Sequence, residues 1–349
     1  MGLLRLFFAL SVLLGHISIS LLPSPIYAVL GFYIISGFYM SLILNEKYTS
    51  TTTNITFYKK RFLRLLPTYW LLAIVHLVIA LLFYYRQESN ILFFDFNHFP
   101  PEKSITTQFF IIISNIIIWG QDLALFLGVS PDTGDAFFSV LSFAEEYPMS
   151  RYQLIPVAWS ISTEFTFYII APFILRSRKK LVFLIFILSI ISNIITNYYG
   201  LNNTNWRFRF FPSVLVFFLS GYYAYLIYTK IRIMKITMRH KHIVTIGTIL
   251  LLSIILNIDI PFAIHVVCLL FIGTLSIPYL FYTHKNDTHD RTIGEMSYPL
   301  YLIHPIFIGI SNLANIDNKL FVIVGSLVGA YCCYRYFISP LEGIRNSIR

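Results

Sequence analysis

The sequence predicts an all-α fold: a polytopic transmembrane bundle of about ten spans, with both termini cytoplasmic. Three observations carry that prediction. Hydrophobic residues make up 57% of the 349 and charged residues only 12%, whereas a soluble domain carries about 25% charged residues. Continuous apolar runs of membrane-spanning length recur from end to end, and a helix satisfies its own backbone polar groups in lipid. The net charge of +10 is concentrated in short loops between those runs. That is the positive-inside pattern, so no nucleic-acid partner is expected from it. The abundant tyrosine and phenylalanine fit lipid-facing helices and interfacial belts.

The predicted spans are 3–22, 26–44, 66–84, 158–175, 181–198, 208–228, 243–258, 260–282, 296–313 and 319–338. Basic segments set the orientation. The loop 45–65 holds Lys47, Lys59, Lys60, Arg61 and Arg64; "RSRKK" (176–180) and "KIRIMKITMRHKH" (230–242) are the others. All three are expected on the cytoplasmic side. Two crossings, 66–84 and 158–175, then connect the first to the second. Residues 85–157 become the one large outer segment, with an extra apolar stretch at 105–120 expected to be re-entrant or interfacial, or part of a further pair of crossings. The acids there, among them Asp95, Glu102, Asp122, Asp132, Asp135, Glu145 and Glu146, read as a solvated loop rather than a metal site. Cys268, Cys332 and Cys333 lie in apolar runs without disulfide or CxxC spacing. Residues 1–349 read as a single membrane domain. The competing reading of the N-terminus is a cleavable signal peptide: Arg5, an apolar core, then "SPIYA". Against it, the apolar run is long and another span follows directly.

Ionisable residues inside spans are expensive and point to function. His16, Glu164, His265 and His304 are the clearest, with His76 also inside a span. His16 follows Arg5 by eleven positions, about three helical turns and about 16 Å. Both side chains therefore leave one helix face, which suits something long and anionic, anchored at the cytoplasmic edge and reaching inward. Arg61 and Arg64 are i and i+3 at the mouth of the third span. Paired guanidiniums suit phosphate, or they are plain positive-inside anchors. In "AWSISTEFTFY", Ser160, Glu164 and Tyr168 form a polar stripe at i, i+4, i+8. Glu164 is either functional or held in an ion pair with Arg207 or Arg209. In "GEMSYPLYLIHPIF", Ser297, Tyr301 and His304 share a face, and His304 is either functional or a packed core histidine. Ser36 and Gly37 in "FYIISGFYMS" permit close approach of a helix or of a substrate.

Together these stretches resemble the acyltransferase-3 family of integral membrane acyltransferases, over nearly the whole chain. The family's arginine, ten intervening residues and histidine are matched by Arg5 and His16. "FYIISGF", "RFLR" (Arg61 to Arg64), "WSISTE" (Trp159 to Glu164) and "SYPLYLIH" (Ser297 to His304) follow in the family's order and spacing. The chain departs at Phe165, where relatives often carry a second acid. It also stops soon after its last span, so the soluble hydrolase-like domain of some relatives is not expected.

The resemblance implies acetyl transfer from cytoplasmic acetyl-CoA to a hydroxyl, with acetyl-CoA as donor substrate and no permanently bound cofactor or metal. Arg5, Arg61 and Arg64 would grip the CoA phosphates. His16 would take the proton of the attacking hydroxyl or be acylated itself. Glu164 would fix a histidine tautomer or bind acceptor hydroxyls. Ser36, Trp159, Ser160, Tyr301 and His304 would support the site or the acceptor. Arg5, Tyr301 and His304 are the candidate oxyanion donors. The expected acceptor is a glycan hydroxyl on the outer side, of O-antigen or a related lipid-linked polysaccharide, in a bacterial inner membrane among its lipids. The rival functions are a transporter or flippase using mid-membrane His and Glu, and a non-catalytic scaffold.

Overall fold

The computed structural model describes residues 1–48, 54–86, 94, 104–234 and 241–347. Asp95 and Glu102 lie outside the described residues, as does part of the basic segment 230–242. The long helices are α1 (Gly2–His16), α2 (Pro25–Glu46), α3 (Asn54–Tyr85), α4 (Ile105–Ile117), α5 (Trp159–Leu175) and α6 (Lys179–Tyr198). A short α7 (Thr204–Phe208) leads into α8 (Phe211–Met234). Then follow α9 (Lys241–Ile255), α10 (Phe262–His284), α11 (Thr288–Leu313), α12 (Lys319–Cys333) and α13 (Ser339–Ser347), with a π-helical turn Tyr334–Ile338 between the last two.

Every expected span falls on a helix. Among the described residues, seven helical stretches are long and apolar enough to cross a membrane, while α1, α4 and α9 are apolar but shorter. The main departure is α1. It ends at His16 rather than at residue 22, and Ser18 just beyond has φ 55°. At 1.5 Å per residue, its 15 residues span about 22 Å.

The basic segments gather at one end of the bundle. Arg176, after α5, donates to the Tyr48 carbonyl and, at 2.6 Å, to Asn54 Oδ1. Arg232, late in α8, pairs with Glu46 at the end of α2 at 2.9 Å. At the opposite end Arg86 donates to the Leu313 carbonyl at 2.6 Å, and Lys319 to the Ser18 carbonyl at 3.4 Å.

Residues 118–158 add the non-helical part: a two-stranded antiparallel hairpin, β1 (Leu127–Val129) with β2 (Ala136–Phe138), and several 3₁₀ turns. Asp122 is not a solvated loop acid. It is 6% exposed and accepts from Ser162 of α5 at 2.6 Å, and burial pushes its carboxyl up from the ordinary range.

Close packing fixes the centre. A Cβ on Gly37 of α2 would lie 1.9 Å from the Phe218 carbonyl oxygen of α8, so only glycine allows these backbones to meet. A Cβ on Gly2 would lie 1.6 Å from the Asp290 carbonyl oxygen, so α1 and α11 meet as closely at the basic end. Asp290 also caps α1. Its carboxylate accepts from the Met1 ammonium at 2.6 Å, Gly2 N–H at 2.7 Å and Leu3 N–H at 3.0 Å, which satisfies orphan donors of the first turn.

Candidate active site

Helices α1 and α11 run parallel. Gly2 meets Asp290 at one end, and His16 meets His304 at the other. The sequence placed both histidines on helix faces but could not pair residues 288 positions apart. His16 Nδ1 lies 2.8 Å from His304 Nε2. The rings are nearly parallel, 12° between planes, with centroids 5.0 Å apart. With so short a nitrogen contact, that spacing means the rings lie edge to edge in roughly one plane, as a hydrogen bond requires.

The backbone decides who donates. His304 Nδ1 faces the Leu300 carbonyl at 3.3 Å, and a carbonyl only accepts. The Tyr301 carbonyl also acts on this ring; Pro305 lacks an N–H and leaves that carbonyl without its helical partner. His304 therefore carries its proton on Nδ1, and its Nε2 is a lone pair. His16 must then donate from Nδ1, and His16 Nε2 is left as an unprotonated acceptor. His304 is fully buried, while His16, the last residue of α1, is exposed. His16 is thus at the outer end of its helix rather than in a sealed interior.

At the basic end, Glu295 binds two of the three predicted anion ligands. Its carboxylate lies 3.3 Å from Arg64 and 3.7 Å from Arg5. These groups line a cavity of about 200 Å³ together with Lys285, Asp290 and Arg291. A second cavity, about 100 Å³, shares Arg5, Tyr39 and Arg64 with the first, so these three form a neck between them. It continues past Ser36, Glu164 and Tyr168 to Ser160 and Tyr301. His304 stands one turn beyond Tyr301 on α11, so the chain of cavities runs from the guanidiniums towards the histidines. Arg61 lines neither cavity, although its charge acts on Tyr168.

Glu164 sits along this route and meets neither histidine nor Arg207 nor Arg209. One of its oxygens accepts from Ser36 Oγ and from Tyr168 Oη, both at 2.5 Å. Tyr301 and Ser160 hydroxyls are 2.7 Å apart, and each also reaches the Val157 carbonyl, at 2.9 and 3.1 Å. Trp159 opens α5 and presents its ring to the Arg209 guanidinium at 4.5 Å. Ser297 turns back onto the Gly294 carbonyl at 2.6 Å. His265 bridges the Ile258 carbonyl and Tyr27, and His76 meets the Leu72 carbonyl, so each is tied to structure locally.

Sequence reasoning missed Glu295 and Asp290. Glu295 was visible as an acid at the mouth of a span beside a basic loop. Which cations it served was not, because Arg64 is 231 positions away.

Parallel helices, a charged mouth, a pair of adjoining cavities ending at Ser160 and Tyr301, and a histidine pair one turn further along α11 are the features of the site. The acyltransferase-domain profile of the acyltransferase-3 family matches residues 1–335. The chain belongs to that family and is an integral membrane acyltransferase. No curated protein and no solved structure matches it.

Proposed function

We propose that this protein moves an acetyl group from cytoplasmic acetyl-CoA to a hydroxyl of a bacterial cell-surface glycan, O-antigen or a related lipid-linked polysaccharide. In this reading the chain crosses the inner membrane ten times with both ends cytoplasmic, and the basic end faces the cytoplasm. The observation that carries it is the separation of duties along α1. Arg5 and Arg64 lie at one end and His16 at the other, and the cavities run from the guanidiniums as far as Ser160 and Tyr301, one turn of α11 short of His304.

CoA phosphates bind Arg5 and Arg64 with support from Arg61, displacing Glu295 from the pair. The pantetheine arm lies along the neck, where Glu164 and the hydroxyls of Ser36, Tyr168 and Ser160 offer acceptors and donors to its amides. Glu164 therefore serves the donor arm rather than a histidine tautomer. The thioester passes Tyr301 and meets an acceptor hydroxyl that enters from the exposed side of His16. His16 Nε2 takes the hydroxyl proton as general base. His304 holds the His16 Nδ1–H, so the lone pair stays on Nε2. Direct transfer is favoured over an acyl-histidine because both substrates reach His16 from opposite ends.

Mass spectrometry of surface glycans with and without the gene tests this. The expected result is a loss of one acetyl mass per modified unit in the deletion strain. Unchanged glycan masses, with a solute instead failing to cross the membrane, would support the transporter reading.

A further inference from the structure

Arg209 follows α7 as the residue after Phe208 and leads into α8. Its guanidinium is held on several sides. It lies 4.5 Å from the Trp159 ring centre and 5.3 Å from that of Phe143, and Nη1–H donates to Asn205 Oδ1 at 3.1 Å. Asn205 is itself anchored, donating to the Leu125 carbonyl at 2.5 Å and to Ser142 Oγ at 3.2 Å. Two aromatic faces and a fixed amide leave the guanidinium little freedom.

What this held cation lacks is an anion. Among the described residues it makes no ion pair. A guanidinium has five N–H donors, and Asn205 is its one hydrogen-bond partner; the other nitrogens are not sealed from solvent. Its field reaches Tyr301, Tyr33 and His16, and no other charged side chain among the described residues acts on His16. A purely structural arginine would be expected to close on a carboxylate. This one is held by two rings and an amide, has no such carboxylate among the described residues, and lies within electrostatic range of the proposed base.

The other candidates for the oxyanion donor are engaged elsewhere. Arg5 is about 16 Å back along α1 and paired with Glu295. Tyr301 is spent on Val157 and Ser160, and both nitrogens of His304 are bonded.

We propose that Arg209 is a further catalytic residue, the donor that stabilises the tetrahedral oxyanion formed at His16. The proposal rests on the acetyl-transfer reading above. The acceptor hydroxyl oxygen forms a bond to the thioester carbonyl carbon while its proton passes to His16 Nε2. The carbonyl π electrons move onto oxygen, and that oxyanion is held by Arg209 N–H groups. Collapse re-forms the C=O bond, breaks the C–S bond, and returns the proton from His16 to the departing CoA sulfur. A preorganised donor aimed at charge that appears only in the transition state raises kcat rather than substrate affinity.

The test uses the full-length protein in lipid nanodiscs, with acetyl-CoA and its glycan acceptor. Arg209→Gln is expected to lower kcat about 10²–10³-fold, the usual loss of one oxyanion donor. The KM for the acceptor and the affinity for acetyl-CoA are expected to stay unchanged. Added guanidinium ion is expected to restore part of the turnover of Arg209→Ala, which loss of a merely structural contact would not allow. Wild-type kcat in Arg209→Gln overturns the proposal. So does a raised acceptor KM with kcat unchanged, which would make Arg209 an acceptor-binding group. If Arg209→Gln fails to bind acetyl-CoA, Arg209→Lys, which keeps a charged N–H donor, is compared with Arg209→Ala: acetyl-CoA binding intact and kcat at least about tenfold above that of Arg209→Ala support the oxyanion role, and kcat no higher than that of Arg209→Ala refutes it. Should the wild-type protein bind acetyl-CoA but transfer nothing, the acetyl-transfer reading itself fails, and the proposal with it.

Discussion

At one end of α1, Arg5 and Arg64 share the Glu295 carboxylate; at the other, His16 and His304 share one hydrogen bond, with no acid acting on His16 among the described residues. The first end holds charge that is already compensated. In the proposed reading an incoming phosphate would exchange with Glu295 instead of meeting bare guanidiniums, which limits the cost of keeping cations at a membrane edge. Among the described residues the second end holds no ion pair, and its proton is placed by a backbone carbonyl four residues back on α11. A carboxylate beside His16 would stabilise its charged form and hold the proton that the base must accept. The contrast separates binding from chemistry along one helix, so substitutions at the two ends should move different kinetic constants.

Apart from loss of the base itself and of Arg209, the largest expected effect is at His304. His304→Leu removes the acceptor for His16 Nδ1–H and frees the proton to occupy Nε2. Its kcat should fall about 100-fold, within the range of general-base catalysis, with acetyl-CoA affinity unchanged. His304→Gln, which can still accept through its amide oxygen, should keep more of the activity; equal loss in both variants would break the tautomer assignment. Next comes the neck. Glu164→Gln should raise the KM for acetyl-CoA about tenfold and lower kcat less than that. A collapse of kcat at normal KM would move Glu164 from the donor arm to the chemistry.

Glu295→Gln should act in the opposite direction at the basic end. Removing the carboxylate takes a negative charge away from the phosphate site, so acetyl-CoA should bind about twofold to fivefold more tightly, an effect on the scale of one partly exposed ion pair. Weaker binding would show that Glu295 orders the two arginines rather than competing for them. The last effect concerns stability rather than activity. Asp290→Asn should lower the thermal stability by about 1–3 kcal/mol, because it weakens the cap on α1. Burial alone would push the Asp290 carboxyl up, but the N–H groups of Gly2 and Leu3 and the Met1 ammonium hold it below the ordinary carboxylate range. Its contribution is then full above that ordinary range and is lost as pH falls through the lowered value. A thermal-shift series should show that acid-side loss in the wild type and a smaller one in Asp290→Asn.

Local spacing was the part of the site that the sequence made legible. Eleven residues from Arg5 to His16 describe a ruler along one helix, and Glu164 to Tyr168 at i, i+4 did form a hydrogen bond. Gly37 did mark a close backbone approach. The helices were legible because apolar runs are long and basic loops punctuate them. What stayed hidden was pairing at a distance. The His16–His304 bond, the Glu295 bridge and the Asp290 cap each join the N-terminal helices to α11 across more than 200 residues. Periodicity along one helix carries no information about which neighbour it meets. The early end of α1 was hidden for a related reason. The run through Leu22 stays apolar, yet the chain turns at Ile17 and Ser18 to let Gly15 pack against Pro25.

The most direct test follows labelled acetyl from acetyl-CoA in membranes that contain wild-type protein or His16→Ala at equal levels. One experiment reads both donor binding and acetyl appearing on the glycan. The account predicts that His16→Ala binds acetyl-CoA at wild-type affinity and transfers no label. Transfer at the wild-type rate would contradict the assignment of His16 as the base. Loss of donor binding in that variant would contradict the separation of binding from chemistry along α1.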